Sequence, residues 1–388
     1  METNQLKPIK ISVNKLTKNM IIATDILNNQ GKKLVSAGYQ VKTPARVRDL
    51  LENHKIQIIE INSTQGNARI PMDIFSENQS DQLITDEQNF PVPDAKDMAL
   101  TNTLEEEILC FKEVFPSTKQ RINDDFNTIL YGKPLTHEKL KEHTKEHLKI
   151  FNLRTNIFQL IETMRKIDDS IYTQCYNIAL TSYMIGKWIG LSEKDLEELF
   201  LAGILTDIGK LNVPKPLLDK KDFLTHKEQM EIDKHVIYSY NLIKQYPCIP
   251  NKIKQAVLTH HEKMNSTGYP FKLKGSDLSL YSRIIAISDV YNTLTTKNLE
   301  NTTVFDTIKH MEIAYKNTLD TNILYTFLNR IGNCFIGQRI RLANKEMGEI
   351  IFINNHHLNK PLIKLECNNE IIDLNRYKFP WRIQEFIM

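Results

Sequence analysis

The chain has 388 residues, which is longer than one ordinary domain and enough for two or three. Hydrophobic residues make up 41% and charged residues 25%, which is typical of globular proteins and excludes a disordered or fibrous chain. The net charge of +3 does not favour nucleic-acid binding. Five scattered cysteines without a CxxC motif exclude a disulfide framework and a zinc ribbon. No segment predicts a signal peptide or a membrane span, so we expect a cytoplasmic protein without membrane or nucleic-acid partners.

Residues 1–62 predict a small α+β unit. Alternating apolar residues at 9–13 predict a strand, and 20–22 and 56–61 predict two more. Thr43 followed by Pro44 predicts an N-cap and the first position of a helix that runs through residue 51. Residues 63–103 are polar and contain three prolines, which predicts a linker.

The rest of the chain is predicted to be mainly helical. Residues 104–166 predict charged amphipathic helices, in which His137, His143 and His147 would form a solvated face. Residues 167–330 predict a series of helices, two of them opened by the capping residues Ser192 and Thr225. Residues 331–388 predict a small β-rich segment with strands at 338–343, 349–353 and 362–365.

Two adjacent histidines, His260 and His261, are predicted to end one of these helices. Two charged imidazoles would repel each other there, whereas neutral imidazoles facing a metal ion would not. The residues alone indicate a metal or phosphate site. By contrast, the pair His356 and His357 lies in an Asn-rich segment between predicted strands, which predicts an exposed loop.

Asp207 is predicted to lie in an otherwise apolar helix that includes residues 199–205. A carboxylate in such surroundings requires a partner. The candidates are a metal ion and Lys210, which lies one turn further along the chain.

The order of these motifs resembles the HD-GYP family of bacterial, all-helical, metal-dependent phosphodiesterases that act on cyclic di-GMP. The resemblance covers about residues 167–330 and rests on Asp207-x-x-Lys210, His235, His260-His261-Glu262, Gly268-Tyr269-Pro270 and Asp289. It implies a mostly α fold: a helical HD-superfamily bundle with a small N-terminal α+β unit and a small C-terminal β appendage.

The resemblance also implies metal ligands, and this chain carries only part of the set. One family ion would be held by Asp207, His235, His260 and His261. The other would be held by Asp207, Asp289 and two histidines, whose positions carry Gln174 and Thr206 here. An acidic ligand of a third ion falls at Ser170. An amide and a hydroxyl are poor replacements for imidazole, so we expect about one divalent transition ion per chain, with Fe or Mn favoured over Zn.

On the substrate side, we predict Asp207 and Lys210 in catalysis, and Lys210, Lys263, Tyr269 and Arg283 as substrate-binding residues; for Lys263 and Arg283 the alternative is a solvated surface charge. Ser266 stands where the family loop has glycine, which predicts a strained turn. The family's Arg-Pro-Tyr segment is replaced by Asn298, Leu299 and Glu300, so a bidentate phosphate contact is lost.

Three functions remain open on these residues. The chain would bind cyclic di-GMP or a related phosphate ligand without turnover, hydrolyse it weakly, or act only as an interaction module. Protein partners in signalling and an oligomeric state are compatible with each function. Gln174 and Thr206 argue against hydrolysis, since a two-metal mechanism needs both ions to clamp the phosphate and to activate water.

Overall fold

The computed structural model describes residues 9–13, 16, 20–27, 33–35, 41, 44–54, 56, 58–62, 104–148, 157, 158, 161, 164, 168–220, 222–297, 303–376 and 381–387. The chain divides into two compact units, Met1–Met72 and Asp73–Met388. The predicted linker at 63–103 and the substitutions at Asn298, Leu299 and Glu300 lie outside the described residues. The domain boundaries given above stay predictions.

The first unit contains a three-stranded antiparallel sheet, a hairpin and one helix. Strands β1 (Ile9–Ser12) and β2 (Ile21–Ile22) flank β5 (Ile58–Asn62), while β3 (Ile26–Leu27) pairs with β4 (Lys33–Val35). Helix α1 spans Pro44–Asn53 and begins at the predicted proline. The β3–β4 hairpin was not predicted, because strands of two and three residues are too short to reveal an alternating pattern.

The second unit is built mainly from helices. They are α2 (Leu104–Leu130), α3 (His137–Leu148), α4 (Ile171–Trp188), α5 (Glu193–Leu205), α6 (Lys215–Leu218), α7 (His226–Asp233), α8 (His235–Ile243), α9 (Asn251–Thr259), α10 (Leu280–Lys297), α11 (Val304–Tyr315) and α12 (Thr321–Asn333), with 3-10 turns at Ile208–Asn212 and Gly275–Asp277. Both predicted caps form: Ser192 accepts the N–H of Asp195, and Thr225 makes a reciprocal capping box with Glu228. Within the described residues, every helix is too short or too polar to cross a membrane.

The prediction of a solvated histidine face is wrong for His147. This side chain is only 4% exposed and packs near the rings of Tyr176 and Phe200. His143 pairs with Asp125, with 2.5 Å between Nδ1 and Oδ1. Asp125 lies on α2, so the carboxylate that organises these histidines comes from another helix and is not visible in the local pattern.

The chain after α12 forms a five-stranded antiparallel sheet. Its strands are β6 (Arg339–Leu342), β7 (Met347–Phe352), β8 (Leu362–Leu365), β9 (Ile371–Asp373) and β10 (Ile383–Phe386), in the order β10-β6-β7-β8-β9. The three predicted strands are present, whereas the two short strands β9 and β10 were missed. The inner side chains of the sheet, including Ile340, Ile350 and Ile363, belong to the same hydrophobic core as the helices. The predicted mostly α fold with small β additions is confirmed.

Close packing between α4 and α5 fixes the C-terminal end of α5, which directly precedes Asp207. A Cβ atom on Gly203 would lie 2.5 Å from the Cα of Ala179, so the two helices touch at a point where only glycine fits. Three residues further along α4, the hydroxyl of Ser182 donates to the hydroxyl of Ser288 on α10 at 2.9 Å. These contacts hold α5 and α10, which lead to Asp207 and carry Asp289, against one central helix.

Candidate metal centre

Asp207 lies just beyond a helix rather than inside one. Helix α5 ends at Leu205 with Thr206 as its C-cap, and Asp207 precedes the 3-10 turn that begins at Ile208. The Asp207 side chain is 1% exposed. A carboxylate buried to this extent is costly unless charged or polar groups surround it, and the expectation of a partner therefore holds.

Ser239 ties the segment around Asp207 to helix α8. Its hydroxyl donates to the main-chain carbonyl of Thr206 at 2.7 Å and accepts the N–H of Gly209 at 2.8 Å. A Cβ atom on Gly209 would lie 2.2 Å from the carbonyl oxygen of His235, so glycine permits this close approach. Sequence reasoning missed Ser239, although its position four residues after His235 places both side chains on one face of a helix.

Four side chains bring one ligand atom each to a common point. Atoms of Asp207, His235, His260 and His261 all lie within 4.8 Å of one another. His235 Nε2 is 3.1 Å from Asp207 Oδ1 and 3.2 Å from His261 Nε2. His260 Nε2 is 4.0 Å from Asp207 Oδ1. The structure thus gathers the four residues that the family resemblance placed around one ion.

The hydrogen bonds of the outer ring atoms fix the tautomers of two histidines. The Nδ1 atoms of His235 and His260 lie 2.8 Å and 2.9 Å from the main-chain carbonyls of Ile232 and Val257. A carbonyl oxygen can only accept, so each Nδ1 carries the proton and each Nε2 presents a lone pair to the centre. His260 Nε2 and one oxygen of Asp207 are buried without a hydrogen-bond partner in the described structure. These two acceptor atoms have no hydrogen-bond donor, and a bound cation would provide the partner that they lack.

The electrostatics of the centre favour neutral imidazoles beside an ionised carboxylate. Burial lowers the pKa of His260 to about 3, and burial with the neighbouring His260 and His235 holds the pKa of His261 well below its usual value. Burial alone would raise the pKa of Asp207, but the ammonium of Lys210 helps to hold it well below its usual range. Three neutral nitrogens and one carboxylate oxygen fit a divalent transition ion.

Lys210 and Asp289 flank this group without belonging to it. The ammonium of Lys210 donates to Asp207 Oδ2 at 2.7 Å. Asp289 Oδ2 lies 3.4 Å from His261 Nδ1, on the outer edge of that ring. Burial and the charge of Asp207 raise the pKa of Asp289. Asp289 sits in the interior of α10, so it caps no helix.

The residues at the positions of the family's other ligands form hydrogen bonds with nearby protein groups. Thr206 is fully buried, and its hydroxyl donates to the carbonyl of Gly203 at 2.8 Å. The amide of Gln174 donates to the carbonyl of Asp169 at 2.9 Å. The hydroxyl of Ser170 donates to the carboxylate of Asp168 at 2.7 Å. Each of the three side chains therefore forms a hydrogen bond with a residue at most five positions away in the sequence.

The loop after His261 is held by Glu262, a role that sequence reasoning did not give it. The Glu262 carboxylate, 1% exposed, accepts the N–H groups of Phe271 at 2.6 Å and Leu273 at 3.0 Å. A Cβ atom on Gly268 would lie 2.4 Å from the Cα of Glu262, so the loop passes directly over it. This brings the ring of Tyr269 into a stack on His261, with 4.7 Å between centroids.

Three further predicted residues have separate surroundings. Ser266 adopts a positive φ of 61°, so the turn keeps the conformation that glycine would take more easily. Arg283 is paired with Asp320, with 2.9 Å between Nη1 and Oδ2, and is not brought to the centre by any contact in the described residues. Lys263 lies 5.9 Å from the centroid of the Tyr315 ring, and burial lowers its pKa.

Comparison with known proteins finds similar sequences over the region that contains this centre. Residues 136–323 match the HD domain family. A cyclic di-GMP phosphodiesterase of Pseudomonas aeruginosa is 27% identical over 229 residues, covering 56% of this chain and 55% of the relative. The cyclic di-GMP phosphodiesterase PdeB of Borreliella burgdorferi is 27% identical over 206 residues, covering 51% and 53%. A 3'3'-cGAMP-specific phosphodiesterase of Vibrio cholerae is 37% identical over 112 residues, covering 29% and 26%.

The chain spans about half the length of the first two of these relatives. The HD match begins at residue 136 and therefore includes α3, ahead of the boundary that the motifs predicted. The matched region contains the four converging side chains and the loop that carries Gly268, Tyr269 and Pro270. The sequence match and these motifs support an HD domain of the HD-GYP type over residues 136–323.

Proposed function

We propose that this chain binds a cyclic dinucleotide, with cyclic di-GMP as the first candidate, at a centre that holds one divalent transition ion. Hydrolysis is weak or absent. The observation that carries the proposal is the convergence of ligand atoms from Asp207, His235, His260 and His261, two of which, the Nε2 atoms of His235 and His260, present lone pairs because their protons are on Nδ1. The choice of Fe or Mn over Zn stays a prediction.

The chain's own residues supply the means to hold a phosphate. A bound ion would polarise a phosphoryl oxygen as a Lewis acid. The Lys210 side chain is 23% exposed, so it can meet an anion while its ammonium neutralises Asp207. Tyr269 covers one face of His261 and limits access of water to that ring. Arg283 is excluded from this proposal because it is paired with Asp320.

Weak hydrolysis follows from the positions of Gln174 and Thr206. A two-metal phosphodiesterase stabilises both the attacking and the leaving oxygen with its ions. In this chain Gln174 and Thr206 stand where the family has ligands of the second ion. Their side chains donate hydrogen bonds to the main-chain carbonyls of Asp169 and Gly203, respectively. The loss of one charge-stabilising element commonly costs about 10² or more in rate.

The test measures metal content, ligand binding and hydrolysis on the same preparation of the full chain. We expect about one ion per chain, micromolar binding of cyclic di-GMP and no appreciable linear product. Lys210→Ala should weaken binding without loss of the ion, and Lys360→Ala, a change of a lysine in the C-terminal sheet region, is the matched control. Both cyclic di-GMP and 3'3'-cGAMP are assayed, since relatives are named for each.

Two results would contradict the proposal in different ways. Metal-dependent formation of linear product at an ordinary enzymatic rate would make the chain an active phosphodiesterase. Metal without binding of either dinucleotide, or no metal at all, would favour an interaction module that has kept the HD fold.

A further inference from the structure

We infer that Asp289 positions His261 for metal binding in this chain and does not hold a second ion. This inference rests on the proposed metal centre and assigns Asp289 a different role from the ligand role that the resemblance implied. Its evidence is the contact between Asp289 and His261 and the hydrogen bonds that Gln174, Thr206 and Lys210 make with other groups.

The three histidines of the centre differ in what faces their outer nitrogen. His235 and His260 each place Nδ1 against a main-chain carbonyl, at 2.8 Å and 2.9 Å. The Nδ1 of His261 instead faces a carboxylate oxygen of Asp289 at 3.4 Å, while its Nε2 faces His235. Asp289 therefore stands where the other two rings have their orienting acceptor.

A carboxylate in that place fixes the ring of a metal-binding histidine. When a carboxylate accepts the Nδ1 proton of such a histidine, the lone pair stays on Nε2 and that nitrogen becomes a better ligand. His261 needs such an acceptor more than its neighbours do, because its side chain is 16% exposed whereas those of His235 and His260 are at most 2% exposed. Without Asp289, the other tautomer and other ring orientations become accessible to His261.

Asp289 has few companions with which it could hold a second ion. Gln174 and Thr206 donate to main-chain carbonyls, and Oδ2 of Asp207 accepts from Lys210 at 2.7 Å. Two carboxylates without a nitrogen ligand are a poor site for a transition ion. The described surroundings of Asp289 thus favour the histidine as its partner.

The experiment measures Co²⁺ binding to the full chain by competition with a chelator and by the visible absorption of the bound ion. The variants are Asp289→Asn, which keeps an acceptor oxygen, Asp289→Leu, which has none, His261→Ala and the double variant His261→Ala with Asp289→Leu. We expect one ion in the native chain and in Asp289→Asn. Affinity should fall in the order Asp, Asn, Leu, with a loss of about 10-fold to 100-fold for Leu and a changed absorption band.

The double variant separates positioning from a general effect of negative charge. If Asp289 acts through His261, Asp289→Leu should have little further effect once His261 is alanine, because the coupling between the two changes measures their interaction. A charge effect would persist in the His261→Ala background, and it would make Asp289→Asn as weak as Asp289→Leu. Either result would overturn the inference.

Other outcomes also have a definite meaning. A second equivalent of Co²⁺ in the native chain that disappears in both Asp289 variants would show a ligand role and overturn the inference while leaving the first site intact. Unchanged affinity in Asp289→Leu would overturn the inference alone. A native chain that binds no Co²⁺, Mn²⁺, Fe²⁺ or Zn²⁺ would overturn the proposed function and the inference together.

Discussion

Two sets of side chains stand at the positions of the family's metal ligands and differ in the direction of their polar atoms. His235, His260 and His261 turn lone pairs toward Asp207, and their outer nitrogens are occupied by carbonyls or a carboxylate. Gln174 and Thr206 turn their donors toward the main chain. The first set can gain only from a cation, whereas the second is already satisfied. The comparison teaches that the two sets differ in whether their polar atoms already have partners within the protein.

Removal of one ligand from the first set should have the largest effect. We expect His260→Ala to weaken metal binding by about 10² to 10³, since the binding energy of a four-ligand site is shared among its ligands. The measurement is metal content after dialysis against a weak chelator. His357→Ala is the matched control, because His357 lies in an exposed turn far along the chain. Equal metal content in the two variants would place the ion elsewhere.

Restoration of the second set should change activity by a similar factor. In Gln174→His with Thr206→His, both side chains could serve one additional ion, so metal content should rise towards two and hydrolysis of cyclic di-GMP by about 10² or more. Each single change should do little, because the two act on one bound ion. Native turnover of about 1 s⁻¹ or faster would show that Gln174 and Thr206 do not disable the chain.

The buried histidines should make the metal-free protein sensitive to acid. The pKa of His260 is lowered to about 3 when folded against 6.5 for a free histidine, and that of His261 is also lowered. The unfolded chain therefore binds more protons between these values, and the free energy of unfolding should fall as pH drops from 7 to 4. The slope is up to about 1.4 kcal/mol per pH unit for each histidine.

The raised pKa of Asp289 acts in the opposite direction and reduces the slope at the acidic end. Denaturant unfolding at several pH values, after chelation, measures the effect. His260→Leu should flatten the curve, because leucine takes up no proton in either state. A native curve that is already flat over this range would mean that these imidazoles are charged or accessible in the folded protein.

The smallest effect is expected at the loop. In Glu262→Gln, an amide N–H group would replace one of the oxygens that accept the N–H groups of Phe271 and Leu273, at a cost of about 1–3 kcal/mol. Hydrogen exchange at these two amides should accelerate, and the ring of Tyr269 should cover His261 less well. Metal content should stay at one ion, which distinguishes this variant from His260→Ala. Unchanged exchange would show that the loop does not depend on Glu262.

The sequence predicted the parts of the site that a local pattern or a family motif carries. Caps at Ser192 and Thr225 depend on neighbours within three residues and form as predicted. The grouping of Asp207 with the three histidines followed from the order of motifs, although their roles stay a prediction. The ring of His147 and the partner of Arg283 could not be predicted, because Asp125 and Asp320 come from other helices.

The last strand has a consequence for handling the protein. Strand β10 covers one edge of β6, and Phe386 packs against Phe335 with 5.0 Å between ring centroids. Arg382 on the same stretch pairs with Asp306 at the start of α11. A proteolytic cut before residue 381 would uncover a strand edge and an aromatic surface together, a combination that promotes aggregation. Nicked material should therefore leave solution as aggregates before it loses its helices.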